Sequence, residues 1–181
     1  MRVITGSARG RRLKTLEGDS VRPTTDKVKE SIFNIIQFDV EGSRVLDMFA
    51  GCGQLGIEAL SRGAKSAVFV DSARASMAVV EENLSSTGFR SLSKTVLGDS
   101  LSYLDRTSEM FDIAFLDPPY KAGLMEDAVE RVRLHIADGG LIVCETGADE
   151  VLPEEIEGFS SKRYKYGKIA LTVYRKDAQN G

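Results

Sequence analysis

Residues 112–123 read DIAFLDPPYKAG. An apolar run from Ile113 to Leu116 leads straight into Asp117, Pro118, Pro119 and Tyr120. A carboxylate stands where a buried strand should be ending. The two prolines forbid both further ladder pairing and an immediate helix. The result is a stiff corner with an acceptor-rich edge and one flat face. Asp117 and the backbone carbonyl of Pro118 form a pair of acceptors that match the two hydrogens of an exocyclic base amine. The ring of Tyr120 can stack on a base plane, a contact worth roughly 1–3 kcal/mol. Holding the amine by its hydrogens draws its lone pair out of ring conjugation and aims it at an electrophile. A base inside a duplex cannot enter such a corner, so it must be flipped out or single-stranded. Neither cysteine lies beside the prolines, which argues against attack through a ring carbon, a reaction that needs a thiolate. A plain stiff turn with no ligand is the competing reading of the same four residues.

A second constellation could supply the electrophile. Gly51, Gly53 and Gly56 satisfy G-x-G-x-x-G after an apolar run, and Asp71 lies twenty residues beyond Gly51. That is the dinucleotide fingerprint, with the acid placed for ribose hydroxyls. Asp47, however, sits four residues before Gly51. A carboxylate there would repel a pyrophosphate docked at the helix N-terminus and would welcome an ammonium group. S-adenosylmethionine has an ammonium, a cationic sulfonium, a ribose and no phosphate, so it is favoured over NAD. The glycines also serve a tight turn and close helix packing in a chain with no cofactor, and that alternative remains.

These residues must be positioned by the elements around them. From Arg44 the chain alternates strand and helix: RVLDMFA, GQLGIEALSRG, SAVFVD, ARASMAVVEENLSSTG, SKTVLGD, SLSYLDR, FDIAFLD, LMEDAVERVRLHI and GLIVCET. Near-continuous apolar strands joined by helices argue for a parallel sheet covered on both faces. In such a sheet ligands bind outside the carboxyl ends of the strands. Asp47, Asp71, Asp99 and Asp117 fall at four successive strand ends, an edge suited to a small molecule rich in hydroxyls and amines. The last alternating run, KIALTVYRK, has no helix after it and is expected to be the antiparallel edge strand. Ahead of the alternation, MRVITGSARGRRLKTLEG reads as a short hairpin or extended arm. RPTTDKVKESIFNIIQF reads as a helix with Asp26 or Thr25 as N-cap.

Charge is unevenly divided. The net charge is −3 over 181 residues, yet residues 1–29 hold eight basic and three acidic side chains, and residues 30–161 hold ten and twenty-three. Residues 162–176 hold six basic and no acidic side chains. An acidic body should avoid nucleic acid, whereas two basic ends on one face would form a cationic rim for phosphates. Solvated basic ends are the competing reading. SKRYKYGK could continue the rim or simply discourage sheet-to-sheet association. Cys52 and Cys144 give neither a disulfide framework nor a metal-ligand spacing. With no early apolar stretch like a signal peptide and no bilayer-length apolar run, a cytoplasmic protein without metal or membrane association is expected. His135, near a helix end, reads as a surface or capping residue, and Cys144 as core.

The motifs VLDMFAGCGQLG and LDPPY resemble those of the class I S-adenosylmethionine-dependent methyltransferases. RVITGSARGRRL, RPTTDKVKESIFNII, FAGCGQLGIEALSRGA, DPPYKAGLMEDAV and YKYGKIALTVYR together resemble the RsmD family over nearly the whole chain. That resemblance implies an α/β, Rossmann-like class I methyltransferase fold. The sheet would be mostly parallel and seven-stranded, with an antiparallel edge strand. Residues 1–20 would form a basic arm or hairpin on a methyltransferase domain of residues 21–181. The implied reaction is methylation of guanine N2 in bacterial small-subunit (16S) ribosomal RNA, free or within the subunit or its assembly intermediate. Carried over by motif, Asp47, Gly51 and Gly53 surround the methionine part of the cofactor. Asp71, with Ser72 beside it, holds the ribose, and Asp99 with Ser100 lies by the adenine amine. Arg22 and Thr24 sit near the cofactor or target base. Asp117 to Tyr120 bind the guanine, and Arg9, Arg11, Arg12 and Lys14 contact RNA phosphates. The chain departs from the usual pattern at Cys52 (commonly a small hydroxyl residue), Gln54 (commonly Ala) and Asp71 (often the longer Glu).

Three functions remain compatible with the residues themselves. The first is an rRNA guanine-N2 methyltransferase. The second is an adenine-N6 or cytosine-N4 DNA methyltransferase, since the same corner serves any exocyclic amine, although no room is left for a target-recognition domain. The third is an RNA-binding assembly factor without turnover.

Overall fold

Seven strands form one mixed sheet in the order β3-β2-β1-β4-β5-β7-β6. They are β1 (Arg44–Met48), β2 (Ser66–Asp71), β3 (Ser93–Leu97), β4 (Phe111–Leu116), β5 (Ile136–Gly147), β6 (Phe159–Tyr166) and β7 (Ile169–Lys176). The computed structural model describes residues 1–16, 26–119, 121 and 123–178. Strands β1 to β5 pair in parallel, and β7 runs antiparallel to both β5 and β6. Among the described residues five α-helices accompany them: α1 (Asp26–Ile35) ahead of β1, and α2 (Gln54–Ser61), α3 (Arg74–Thr87), α4 (Ser100–Arg106) and α5 (Leu124–Val132) between strands.

The apolar strands bury both faces because helices cover both. Along β4, Ile113 and Phe115 enter the core shared with α1, α2 and α3, whereas Ala114 and Leu116 enter the core shared with α4 and α5. Each fully buried large side chain contributes roughly 1.5–3 kcal/mol. The result is a stiff platform whose carboxyl strand ends point one way.

The expected edge strand is corrected. The run at the C-terminus, β7, lies inside the sheet, and β6 is the edge. The reason is burial: Ala170 to Tyr174 are all buried, which requires a neighbour on each side, whereas β6 alternates exposed Lys and Arg with half-buried Tyr.

The N-terminal segment is a hairpin, bridged between Arg2 and Arg12 and closed by Val3 N–H donating to Arg11 O at 2.9 Å. It is packed rather than loose. Val3, Ala8 and Leu13 belong to the same core as α1, α2 and α3. Buried Glu58 of α2 accepts the backbone N–H groups of Ile4 (2.9 Å) and Thr5 (3.0 Å). Buried Lys29 of α1 stands 3.7 Å from the same carboxylate and donates to Arg2 O at 2.6 Å. Burial draws the Lys29 pKa below the usual lysine range, and the charge of Glu58 opposes that pull. Arg62 donates to Glu58 Oε1 at 2.9 Å while its guanidinium lies over the Phe33 ring. Removing Glu58 would leave the buried Lys29 without this carboxylate, typically a loss of about 3–5 kcal/mol, whereas Glu58 would keep Arg62 if Lys29 were removed.

Candidate active site

The glycine turn is built on the end of β1. Phe49, next after Met48, has φ 57°, a left-handed conformation that is strained for an aromatic residue and is found at functional turns. Gly53 opens α2 with φ 79°. Gly56, one turn into the helix, donates its N–H to Asp47 Oδ2 at 2.9 Å. A side chain at Gly56 could not fit, because its Cβ would lie 2.4 Å from the Phe69 ring. The glycine thus lets α2 approach the sheet closely enough to hold Asp47. That carboxyl is 3% exposed. Its pKa is pushed up to about 7, chiefly by burial, with the Gly56 hydrogen bond opposing and the charge of Asp71 adding.

Asp71 ends β2 and reaches back to the same turn. Its Oδ2 accepts the Gly51 N–H at 2.9 Å and its Oδ1 accepts the Ala73 N–H at 2.8 Å. Each oxygen keeps further acceptor capacity. Ser72 beside it is exposed. Asp99 caps α4 by accepting the Ser102 N–H at 2.8 Å, and that hydrogen bond holds its carboxyl below the usual range. Ser100, next to it, is buried.

The acidic-proline corner follows β4 directly. Asp117 and Pro118 are half-buried and Pro119 is exposed. Register fixes what lies beside it. Met48 of β1 pairs with Val70 on one side and Leu116 on the other. The next residues along the chain, Asp71, Phe49 and Asp117, therefore fall at the same carboxyl edge of the sheet. Strands β2 and β4 lie two strand spacings apart, about 10 Å. Tyr120, Arg22 and Thr24 lie outside the described residues.

Two residues at this edge escaped the sequence reading. Cys144 of β5 pairs with Leu116, so Glu145, only 8% exposed, follows at the same carboxyl edge on the other flank of β4. An acid interrupting the apolar run LIVCET was the available signal. Asn83, 1% exposed on α3, joins the hairpin to the glycine turn. Its Oδ1 accepts the Lys14 N–H at 2.8 Å. Its Nδ2 donates to Lys14 O at 3.0 Å and to Cys52 O at 2.9 Å. An amide inside an apolar helix stripe was its only trace.

The four hairpin residues expected at RNA phosphates, Arg9, Arg11, Arg12 and Lys14, do not gather at one place. Lys14 is at the glycine turn, its ammonium 2.8 Å from Glu82. Arg9 is in the turn at the other end, where the Ala8 N–H meets Ser61 Oγ in the last turn of α2. Arg11 and Arg12 are exposed between them. Among the described residues no group of three His, Cys, Asp or Glu side chains could hold a metal ion, and no helix is long and apolar enough to cross a membrane.

The edge fits a cationic, hydroxyl-rich cofactor better than a phosphate. Its buried Asp47 carboxylate gains from a neighbouring positive charge. A Cβ built on Gly51 would meet nothing within 4 Å, which leaves an open cradle above the turn.

Comparison with known proteins agrees with this geometry. The family model described as conserved hypothetical protein 95 matches residues 1–175. The ribosomal RNA small subunit methyltransferase D of Escherichia coli is 34% identical, covering 99% of this chain and 91% of that protein. Its namesake from Haemophilus influenzae is 36% identical, covering 97% and 93%. The solved structure of yhhF from Escherichia coli superposes with a TM-score of 0.88 at 34% identity, covering 99% of each chain. A Thermus thermophilus 16S rRNA N2 G1207 methyltransferase, RsmC, solved with AdoMet and guanosine, shares the fold at a TM-score of 0.73 and 21% identity, covering 89% of this chain and 45% of that one. With a family model spanning nearly its whole length and full-length relatives of that name, the chain belongs to the conserved hypothetical protein 95 family, the RsmD family.

Proposed function

We propose that this protein transfers a methyl group from S-adenosylmethionine to the exocyclic N2 amine of a guanine in small-subunit (16S) ribosomal RNA. The observation that carries the reading is the row of strand ends. Met48 pairs with Val70 and Leu116, so the glycine turn, Asp71 and the acidic-proline corner all leave the same end of three adjacent strands, and a cofactor over the turn and a base in the corner would meet. The names of the full-length relatives supply the ribosomal substrate, and the guanosine of the fold neighbour is consistent with the base.

When bound, the cofactor would supply an electrophilic sulfonium methyl. Asp47 would receive its ammonium group at the floor of the turn, and Gly51 and Gly53 would leave room for its backbone. Asp71 would accept from the ribose hydroxyls with the lone pairs not already used by Gly51 and Ala73. Asp99 and Ser100 would border the adenine, Ser72 would lie at the cofactor beside Asp71, and Arg22 and Thr24 would lie near the cofactor or the target base. Asp117 and the Pro118 carbonyl would hold the two amine hydrogens. Pro119 would keep the corner stiff, and Tyr120 would stack on the base. As the N–CH3 bond formed and the S–CH3 bond broke, the amine would give up one proton, which Asp117 would take. Most of the rate advantage then comes from position, because the electrophile is already activated. Arg9, Arg11, Arg12 and Lys14 would contact phosphates that the acidic body repels.

The test uses labelled S-adenosylmethionine with three acceptors: DNA, naked 16S rRNA and assembled or assembling small subunits. Label in N2-methylguanine of an RNA-containing acceptor is expected, and mass spectrometry of rRNA from cells lacking the protein should show one such modification missing. Transfer to DNA alone, or to no acceptor, would overturn the proposal.

A further inference from the structure

We propose that the tip of the β6–β7 hairpin is a second RNA-backbone contact, on the opposite side of the Asp117 corner from the N-terminal hairpin. It rests on the ribosomal RNA reading above. The sheet order and register carry it. The row through Leu116 continues to Cys144 of β5, Thr172 of β7 and Arg163 of β6. Beyond that row the hairpin runs on for three more residues to the Tyr166–Ile169 pair. Its tip therefore rises about 10 Å past the strand end at Leu116 and lies two to three strand spacings, roughly 10–14 Å, to one side. The N-terminal hairpin lies to the other side, fastened to α2 and α3 beside β1 and β2. A base seated at Asp117 would have cationic surface on both flanks, within the span of a short stretch of single strand.

The tip's charges are available for that role. Residues 162–176 contain six basic side chains and no acid. Three are committed elsewhere. Arg163 donates to the carbonyls of Ala148 and Glu150, Arg175 pairs with Asp39, and Lys176 donates to Ile136 O. Lys162, Lys165 and Lys168 are exposed and enter no ion pair among the described residues. Half-buried Tyr164 and Tyr166 alternate with them, and the Lys162 ammonium lies 5.2 Å from the Tyr164 ring. Guarding the sheet edge would use lysines along β6. Lys168 is not on the edge; it sits in the turn, at the end facing the catalytic strand ends.

The test is a Lys165→Ala/Lys168→Ala double variant of the full chain, with binding of 16S rRNA fragments measured over a range of salt. The expected result is about tenfold weaker binding and a log–log salt slope shallower by about 1–1.5, the change for two lost single-strand phosphate contacts. Cofactor affinity and transfer at saturating RNA should not change. An unchanged slope and affinity would overturn the proposal while leaving the methyltransferase reading intact, provided the wild type still modifies RNA. The same holds if the variant self-associates with RNA affinity unchanged, since the lysines would then be edge guards. Failure of the wild type to bind or modify RNA would overturn both.

Discussion

The two halves of the catalytic edge are made rigid by different means. On the glycine side, every acid is tied to backbone N–H groups: Asp47 to Gly56, Asp71 to Gly51 and Ala73, and Asp99 to Ser102. On the acidic-proline side, stiffness comes from covalent restriction, with two prolines one residue after a strand whose last four residues are buried. The difference suits two kinds of ligand. A web of hydrogen bonds can share its carboxylates with a cofactor while keeping the loop in place. A proline corner keeps its acceptors in place through the covalent chain, for an amine that must be held and then released.

The sharpest way to break the comparison is Asp117→Ala. Transfer should fall by about 10²–10³-fold or more, the scale for losing one preorganised electrostatic contact. Cofactor affinity, measured by calorimetry, should stay near wild type. Loss of both would mean the two halves are one unit. A smaller effect comes from titrating the glycine side. The carboxyl of Asp47 is raised to about 7 in the folded chain, from an ordinary value near 4 when unfolded. Its contribution to stability is therefore fully present below the unfolded value and is lost as pH rises through about 7. An ammonium ligand favours the ionised form, so cofactor affinity should rise between pH 6 and 8, by at most about tenfold per pH unit. Flat affinity over that window would remove Asp47 from the ammonium. The smallest expected effect is from Gly56→Ala. Crowding against Phe69 should cost about 1–3 kcal/mol in thermal or denaturant unfolding and weaken cofactor binding, with little direct effect on the acidic-proline side. An unaltered midpoint would show that α2 can move away from the sheet freely.

Most of the edge was legible in the sequence because strand ends, glycine spacing and prolines are local signals. Asp47, Asp71, Asp99 and Asp117 each follow or close an apolar run, and the sheet brings them to one side. What was not legible depends on partners far apart in the chain. Asn83 reads as one more polar residue until Lys14 and Cys52 are seen on it. Glu58 and Lys29 look like surface charges on amphipathic helices, yet both are buried under the hairpin. The edge strand was misassigned because spatial order is set by packing, and β6, rich in Ser, Lys and Arg, carries a weak strand pattern.

The Glu58 hub has a consequence for biogenesis. Ile4 and Thr5 leave the ribosome well before their acceptor, which follows 54 and 53 positions later, and the Asn83 partner of Lys14 follows Lys14 by 69. At synthesis rates of roughly 5–20 residues per second, the opening segment waits for seconds with its backbone unpaired. The hairpin is made before α2 and α3, the elements that complete it, so a nascent chain stalled before α3 should present it to proteases and chaperones.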